Sequence, residues 1–165
     1  MLSKILSKSQ CAECGFCCVF KRASRWETPL FTEEVKNSLS EKYKNAKFKK
    51  VGDMYTINLD DEYKTKSEDE EAPCFFLDEN SGCMLRDEEK PLDCKIWPLR
   101  IMKKDNKTII ALTPTCKEIN KLPLETVRDL VRSGLGEFIK GEAEKMPWII
   151  KEYRENFPEL MSFSD

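Results

Sequence analysis

Histidine is absent from this sequence of 165 residues. That absence excludes Cys–His and Ser–His nucleophile pairs. It also excludes mixed Cys/His zinc fingers and histidine-based catalytic zinc sites. An excess of one charge is missing too: 28 basic and 30 acidic residues leave a net charge of −2, so nothing global draws the chain toward nucleic acid or an anionic membrane. No apolar run approaches the roughly 20 residues of a membrane span. The first ten residues carry Lys4 and Lys8, and their apolar members are only Met1, Leu2, Ile5 and Leu6. A secretory signal needs a continuous apolar core of roughly 7–15 residues, so the expectation is a cytoplasmic protein with no membrane and no nucleic-acid partner. Glycine is scarce. Gly15, Gly52, Gly82, Gly134, Gly136 and Gly141 supply no Gly-rich turn after a strand of the kind that cradles a nucleotide or a methyl donor. Gly134-Leu135-Gly136 lies in helical surroundings and reads as a helix break.

Charged residues make up 35% of the chain and hydrophobic residues 40%, the balance of a solvated globular protein. The length suits one domain, residues 1–165. A chain of this size buries about two thirds of its unfolded surface and needs no disulfides to fold. It nevertheless has eight cysteines. In a reducing compartment, that many read as metal ligands or catalytic thiols.

Four of them stand in the run Cys11-Ala-Glu-Cys14-Gly-Phe-Cys17-Cys18. Two cysteines separated by two residues can turn both sulfurs toward one ion, with turn amides donating to the thiolates. Gly15 suits the positive φ such a turn often needs. Cys14 and Cys17 repeat the spacing, so three cysteines match the start of the bacterial ferredoxin run, without its fourth ligand. Cys17 and Cys18 are neighbours whose side chains point apart in a turn or extended segment. They are therefore expected to divide between two sites, or between a cluster and a second role. The distal ligands are Cys74, Cys83, Cys94 and Cys116, and their separations leave the partition open. An isolated cysteine is most often a small buried hydrophobe, a reading that competes for Cys116 and fails for four cysteines in eight residues. Four thiolates suit zinc or an iron–sulfur cluster alike. The tight spacing and the apolar neighbours Phe16, Val19, Phe20, Phe75, Phe76 and Trp97 favour a cluster shielded from water, expected as [4Fe–4S], with zinc as the alternative.

Around these cysteines the pattern predicts an α+β fold: a small irregular cysteine-rich metal-binding core with short β-hairpins, covered by several α-helices. Residues 1–10 suggest a short amphipathic helical turn leading into the run. Thr32 is an N-cap, Glu33 and Glu34 sit at the positive end of the dipole, and Val35 and Leu39 form a stripe running to Tyr43. Residues 44–50 read as a basic loop and 51–59 as a strand. Residues 60–71 read as a solvated, mobile, charged loop. Two hairpins follow, 74–85 around a turn at 78–82, and 99–112 around 103–107. The last third reads as helices: one opened by Pro123, one containing Phe138 and Ile139, and one opened by Pro147 that ends before Pro158. Residues 11–116 thus form the expected metal-binding core and 117–165 a helical segment. The basic aromatic run Lys21, Arg22, Arg25 and Trp26 reads as a solvated face rather than an anion site.

Cys11-x2-Cys14-x2-Cys17-Cys18, Pro73-Cys74-Phe75-Phe76-Leu77, Gly82-Cys83 and Pro91-x2-Cys94-x3-Pro98 together resemble the CxxCxxCC family of zinc- or iron-chelating domains, to which the flagellin lysine N-methylases carry a related pattern. The resemblance covers about residues 11–116. It departs at Lys90, where the family has arginine, at Asp87, where it often has tyrosine, and at Trp97, which replaces phenylalanine or tyrosine. Lysine lacks the planar bidentate fork of arginine, and none of the three changes touches a cysteine. The resemblance implies metal binding through Cys11, Cys14, Cys17, Cys18, Cys74, Cys83, Cys94 and Cys116, with a structural, redox or cluster-handling role and a protein partner or substrate of unknown identity. The alternative it implies is an enzyme, a protein lysine N-methylase. The chain is too short for the barrel of radical methyl-donor enzymes, and its cysteine spacing differs from theirs.

Overall fold

The computed structural model describes residues 7–23 and 27–164. It contains both helices and strands, and the α+β class holds. Two compact units are present. One is Cys11–Cys94. The other is Lys95–Asp165 with the described part of Met1–Gln10.

The first helix, α1 (Lys8–Cys14), begins at a capping box. The Ser7 hydroxyl accepts from the Gln10 amide at 3.2 Å, and the Gln10 side chain accepts from the Ser7 amide at 2.9 Å, so two amides that start a helix without partners are satisfied reciprocally. The helix therefore does not stop short of the cysteine run but carries Cys11 and Cys14 within it. Residues 1–6 of the expected turn lie outside the described residues.

Within 11–94, strand β1 (Val19–Lys21) follows the run. Helix α2 (Glu33–Lys42) starts as its residues predict: the Thr32 hydroxyl accepts from the Val35 amide, Glu33 and Glu34 occupy the first turn, and Leu39 is buried. Strands β2 (Phe48–Val51) and β3 (Met54–Ile57) make a hairpin. The basic loop expected at 44–50 thus gives way to strand at Phe48. The lysines there face outward, Lys47 to Asp61 at 2.7 Å and Lys49 to Asp60 at 2.6 Å, while Phe48 packs on the core. Strand β4 (Glu71–Pro73) pairs antiparallel with β1, Phe20 opposite Ala72. Strands β5 (Leu77–Asp78) and β6 (Gly82–Cys83) form the small second hairpin, and α3 (Leu92–Ile96) carries Cys94. The core of this unit is Phe20, Phe31, Leu39, Ile57, Leu59, Ala72, Phe76 and Leu85, all buried. Edge-to-face rings run through it, Phe31 on Phe48 at 5.5 Å and Tyr43 on Phe76 at 5.2 Å, an arrangement the ring quadrupoles favour.

The second unit is built on a four-stranded sheet in the order β10 (Glu159–Ser164), β8 (Lys107–Leu112), β7 (Leu99–Lys104), β9 (Lys151–Glu152). The hairpin of β7 and β8 is the one expected at 99–112, with Leu99 opposite Leu112. Helices α4 (Leu124–Leu130) and α5 (Gly136–Lys145) bury Val127, Ile139 and Ala143, and Pro123 stands just before the first of them. The last helix expected after Pro147 is replaced by a single 3-10 turn, Pro147–Ile149. Beyond it the chain is extended: Lys151 pairs with Met102, and the Tyr153 amide donates to the Lys103 carbonyl at 3.1 Å. Leu160 and Phe163 of β10 are buried. Among the described residues no helix is long and apolar enough to cross a membrane.

The charged loop 60–71 is tied down. The Glu70 carboxylate accepts from the Thr65 hydroxyl, from the Lys64 and Thr65 amides and from Arg22. Arg22 also donates to the Thr65 carbonyl and stacks over Tyr63, and Lys21 pairs with Asp69 at 3.1 Å. Lys21 and Arg22 are thus engaged with this loop, and Arg25 and Trp26 lie outside the described residues. These bonds, led by that of Thr65, hold the Glu70 carboxyl down to about 2 from an ordinary 4.5. A depressed carboxylate adds stability above its unfolded value and loses it as pH falls through the folded one. The stability difference between wild type and Glu70→Gln should therefore be full near neutrality and shrink as pH drops from about 4.5 toward 2. Urea midpoints measured across that range check it; a difference independent of pH refutes the anchoring role.

Candidate metal centre

The backbone brings two distant cysteine segments together. At the end of the β1–β4 pair the Cys74 amide donates to the Cys18 carbonyl at 2.6 Å. In the second hairpin Leu77 stands opposite Cys83, and the Met84 amide donates to the Phe76 carbonyl at 2.8 Å. Cys74 precedes this hairpin in a turn, with the Leu77 amide on its carbonyl at 2.9 Å, so it lies just before the strand rather than on it. The segment from Cys83 to Cys94 is fixed through Glu89, which accepts from Lys42 at 2.6 Å and from the Arg86 amide at 2.9 Å. Lys42 leads the interactions that hold the Glu89 carboxyl down to about 2. The Cys94 amide then donates to the Pro91 carbonyl at 3.0 Å.

Gly15 ends α1 with a left-handed φ of 56°, the conformation its place in the run predicts. A 3-10 turn, Phe16–Cys18, follows. In it the Cys17 and Cys18 sulfurs lie 3.8 Å apart. This corrects the expectation that neighbouring side chains diverge: the tight turn folds both sulfurs to one side. At that separation they are far from the roughly 2.05 Å of a disulfide. Cys11 and Cys14 are three residues apart on α1, a spacing that puts both on one helical face.

Cysteine is normally among the most buried residue types. Of the seven in the unit 11–94, none is buried: Cys11, Cys14, Cys83 and Cys94 are exposed, and Cys17, Cys18 and Cys74 are half-buried. Cys11, Cys14, Cys83 and Cys94 are thus more exposed than the inert-hydrophobe reading expects, whereas half-buried Cys74 packs against the hydrophobic core. Cys116 belongs to the other unit and is buried there, as that reading requires.

The thiols act on one another electrostatically. The Cys17 hydrogen bond, then burial, then the charges of Cys17, Cys74 and Cys94 push the Cys18 thiol far up. Burial, opposed by the Phe76 amide, with the charges of Cys83 and Cys17 pushes Cys74 up to about 12. Cys83 is raised by burial and by the charges of Cys17 and Asp87, against the Leu85 amide and Lys90. Cys94 meets solvent as a residue, yet its surroundings are crowded: burial leads, and Cys74, Asp93, Cys83 and Cys17 add to it. Cys17, Cys74, Cys83 and Cys94 are thus a quartet only in the sense that ionising one opposes ionising the others. Burial disfavours the Lys90 ammonium, but its 3.0 Å hydrogen bond to Asp87 and the charges of Cys83, Asp87 and Cys94 outweigh burial and raise it. Lys90 thus places a cation near Cys83 and Cys94.

Two amide-to-sulfur bonds, from Phe76 to Cys74 and from Leu85 to Cys83, each span two residues and favour the thiolate. They lie in the second segment, whereas the sequence pointed to the first. Of the apolar neighbours expected to shield a cluster, Phe20 and Phe76 are buried in the core, whereas Phe16 is exposed. Among the described residues no three Cys, Asp or Glu side chains form a group that would hold a metal ion. The thiols are neighbours that have not converged. Their chemistry, soft sulfur donors with no imidazole, is of the kind that zinc and iron–sulfur clusters take.

No family model, curated protein or solved structure matches this chain.

Gly82 links the two cysteine segments. A Cβ built there would stand 3.1 Å from the Cβ and 3.2 Å from the Cα of Ala12, between Cys11 and Cys14, and its φ is 77°. Gly82→Ala should therefore destabilise the protein by about 1–2 kcal/mol from backbone strain alone, with the Ala12 contact adding to it. A lower urea midpoint at unchanged slope is the expected result. An unchanged midpoint shows that helix and hairpin are not held together here.

Proposed function

We propose that this chain is a metal-binding protein that holds an iron–sulfur cluster through cysteine thiolates, in a structural, redox or cluster-handling role. The observation that carries the reading is that the fold closes the Cys11–Cys18 run onto the second cysteine segment, the Cys74 amide donating to the Cys18 carbonyl at 2.6 Å, with the Cys17 and Cys18 sulfurs 3.8 Å apart. The amides of Phe76 and Leu85 favour the thiolate forms of Cys74 and Cys83, and Lys90 favours that of Cys83, which lowers the cost of the proton release that metal binding requires. The Cys18 sulfur lies 3.8 Å from that of Cys17. When bound, a cluster supplies a one-electron centre or a transferable inorganic core; the residues here orient sulfurs, donate hydrogen bonds and balance charge. The motif resemblance to the CxxCxxCC family points the same way.

One observation favours a second reading, zinc. Sulfurs around a single tetrahedral zinc, at a Zn–S bond of about 2.3 Å, stand about 3.8 Å apart. Cys17 and Cys18 have that separation, 3.8 Å.

Anaerobic purification followed by metal and sulfide analysis separates the two. Iron with matching sulfide, a brown colour and an electron paramagnetic resonance signal after reduction are expected for the cluster. Stoichiometric zinc without sulfide replaces it with the second reading, and metal-free protein overturns both. Cys74→Ser should lose most of the metal and lower the thermal midpoint, because metal binding and folding are coupled. Full metal content in that variant removes Cys74 from the ligand set.

A further inference from the structure

Cys17 and Cys18 are the one adjacent pair of cysteines in the sequence, and a tight turn holds them side by side. Their sulfurs lie 3.8 Å apart, within the 3-10 turn Phe16–Cys18. Two backbone bonds fix that turn: the Cys18 amide donates to the Gly15 carbonyl at 2.9 Å, and the Val19 amide donates to the Phe16 carbonyl. Gly15 enters the turn with a φ of 56°, a conformation that a Cβ disfavours. Both cysteines are half-buried, so neither sulfur is sealed in the core.

Two thiols placed in this way can be joined by oxidation. Cys11 and Cys14 are the competing pair, since Cys-x-x-Cys is a spacing that redox sites use. On a helix, residues three apart have Cβ atoms about 5–6 Å from each other, wider than the roughly 3.5–4.5 Å of a disulfide. Joining Cys11 to Cys14 therefore requires α1 to open, whereas joining Cys17 to Cys18 requires a turn to tighten. Strain is still unavoidable, because neighbouring Cα atoms stand about 3.8 Å apart and a relaxed disulfide spans about 4.4–6.8 Å. Strained disulfides are the readily reduced, regulatory ones. The strain falls on the peptide between the two residues, whose amide is the one bonded to Gly15. The next peptide carries the Cys18 carbonyl, which holds the Cys74 amide at 2.6 Å. A change at the pair is thus passed to the contact that closes the first cysteine segment on the second.

We propose that Cys17 and Cys18 form a reversible redox switch: low-molecular-weight disulfides convert the dithiol to a vicinal disulfide, and oxidation loosens the Cys18–Cys74 closure. One cysteine sulfur, as its thiolate, attacks the reagent and breaks its S–S bond. One half of the reagent stays on the protein as a mixed disulfide, and the other leaves as a thiolate. The second cysteine sulfur then attacks the first, forms the Cys17–Cys18 bond and expels the remaining half. The two cysteine protons end on the two released thiols, so the pair loses two electrons and the reagent gains them. No metal takes part, and the switch stands or falls apart from the metal reading above.

Glutathione disulfide is the probe, added in excess to the full-length, metal-free, reduced protein without oxygen. Blocking the remaining thiols with N-ethylmaleimide and cleaving after lysine and arginine releases the peptide 9–21, which contains Cys11, Cys14, Cys17 and Cys18. That peptide should be labelled at Cys11 and Cys14 alone, with fragment masses placing a bond between Cys17 and Cys18, and excess reduced glutathione should restore all four labels. Hydrogen exchange at the Cys74 amide should speed up in the oxidised protein and slow again on reduction. Of Cys17→Ser and Cys18→Ser, at least one should stop at a glutathione adduct on the cysteine that remains of the pair. Four labels in the treated wild type, or a bond that joins Cys11 to Cys14 or either sulfur to Cys74, overturn the switch. A bond that resists reduced glutathione overturns its reversibility, and unchanged exchange at Cys74 overturns its link to the closure. These wild-type arms need no variant to fold. Absence of an adduct in both variants overturns the exchange route.

Discussion

The backbone bond from the Cys74 amide to the Cys18 carbonyl, 2.6 Å long, is the closure on which the candidate centre depends. It ends a short antiparallel pairing in which Val19 faces Pro73 and Lys21 faces Glu71. Between these strands runs a loop that contains α2 and the β2–β3 hairpin. Closing so long a loop costs only slightly more than closing a short one, because the entropy grows with the logarithm of its length. The intervening residues repay that cost by packing: Phe31, Leu39 and Ile57 join Phe20 and Ala72 of the closing strands in one buried cluster. The core of this unit is thus the device that sets Cys17 and Cys18 beside Cys74.

Closure creates an electrostatic problem. Thiols of Cys17, Cys18, Cys74, Cys83 and Cys94 crowd a region where burial already disfavours their charged forms. The fold answers in part with amides aimed at Cys74 and Cys83 and with Lys90, itself held to Asp87 at 3.0 Å. Lysine serves there as a point charge where a planar fork is not needed. These donors are too few to stabilise every sulfur as a thiolate.

Much of this was legible in the residues, and what was not has physical reasons. The Thr32 cap and the hairpin at 99–112 were readable because each depends on local chemistry: a hydroxyl ahead of two carboxylates, and apolar runs around a polar turn. Phe48 was hidden among lysines, and only its partner strand shows that those lysines reach Asp60 and Asp61 across the hairpin. The terminal segment after Pro147 has a helical pattern in Trp148, Ile149 and Tyr153, but tertiary pairing with β7 overrides it. Propensity yields there because a sheet edge satisfies backbone groups that a short helix would leave at its ends. At the candidate site, cysteine spacing singled out residues to examine, while the meeting of Cys18 and Cys74 required the long-range closure. The Cys17–Cys18 turn ran against the expectation because a 3-10 turn, unlike a strand, does not alternate its side chains.

Exposure separates the eight cysteines where spacing left them level. Sulfur that serves only as a small hydrophobe is selected for burial, as Cys116 is. The seven in the other unit are exposed or half-buried, which is what the thiolate reading requires of sulfur that is to release a proton and accept an ion. That they crowd without converging into a ready group is consistent with the charge balance. Without a cation the raised thiols stay protonated and neutral, and no attraction draws them closer. With a cation the same thiols gain charge-compensated bonds, and the last approach becomes favourable. On the thiolate reading the centre is therefore prepared by the core and completed by the ion, which makes metal loading and local order one equilibrium.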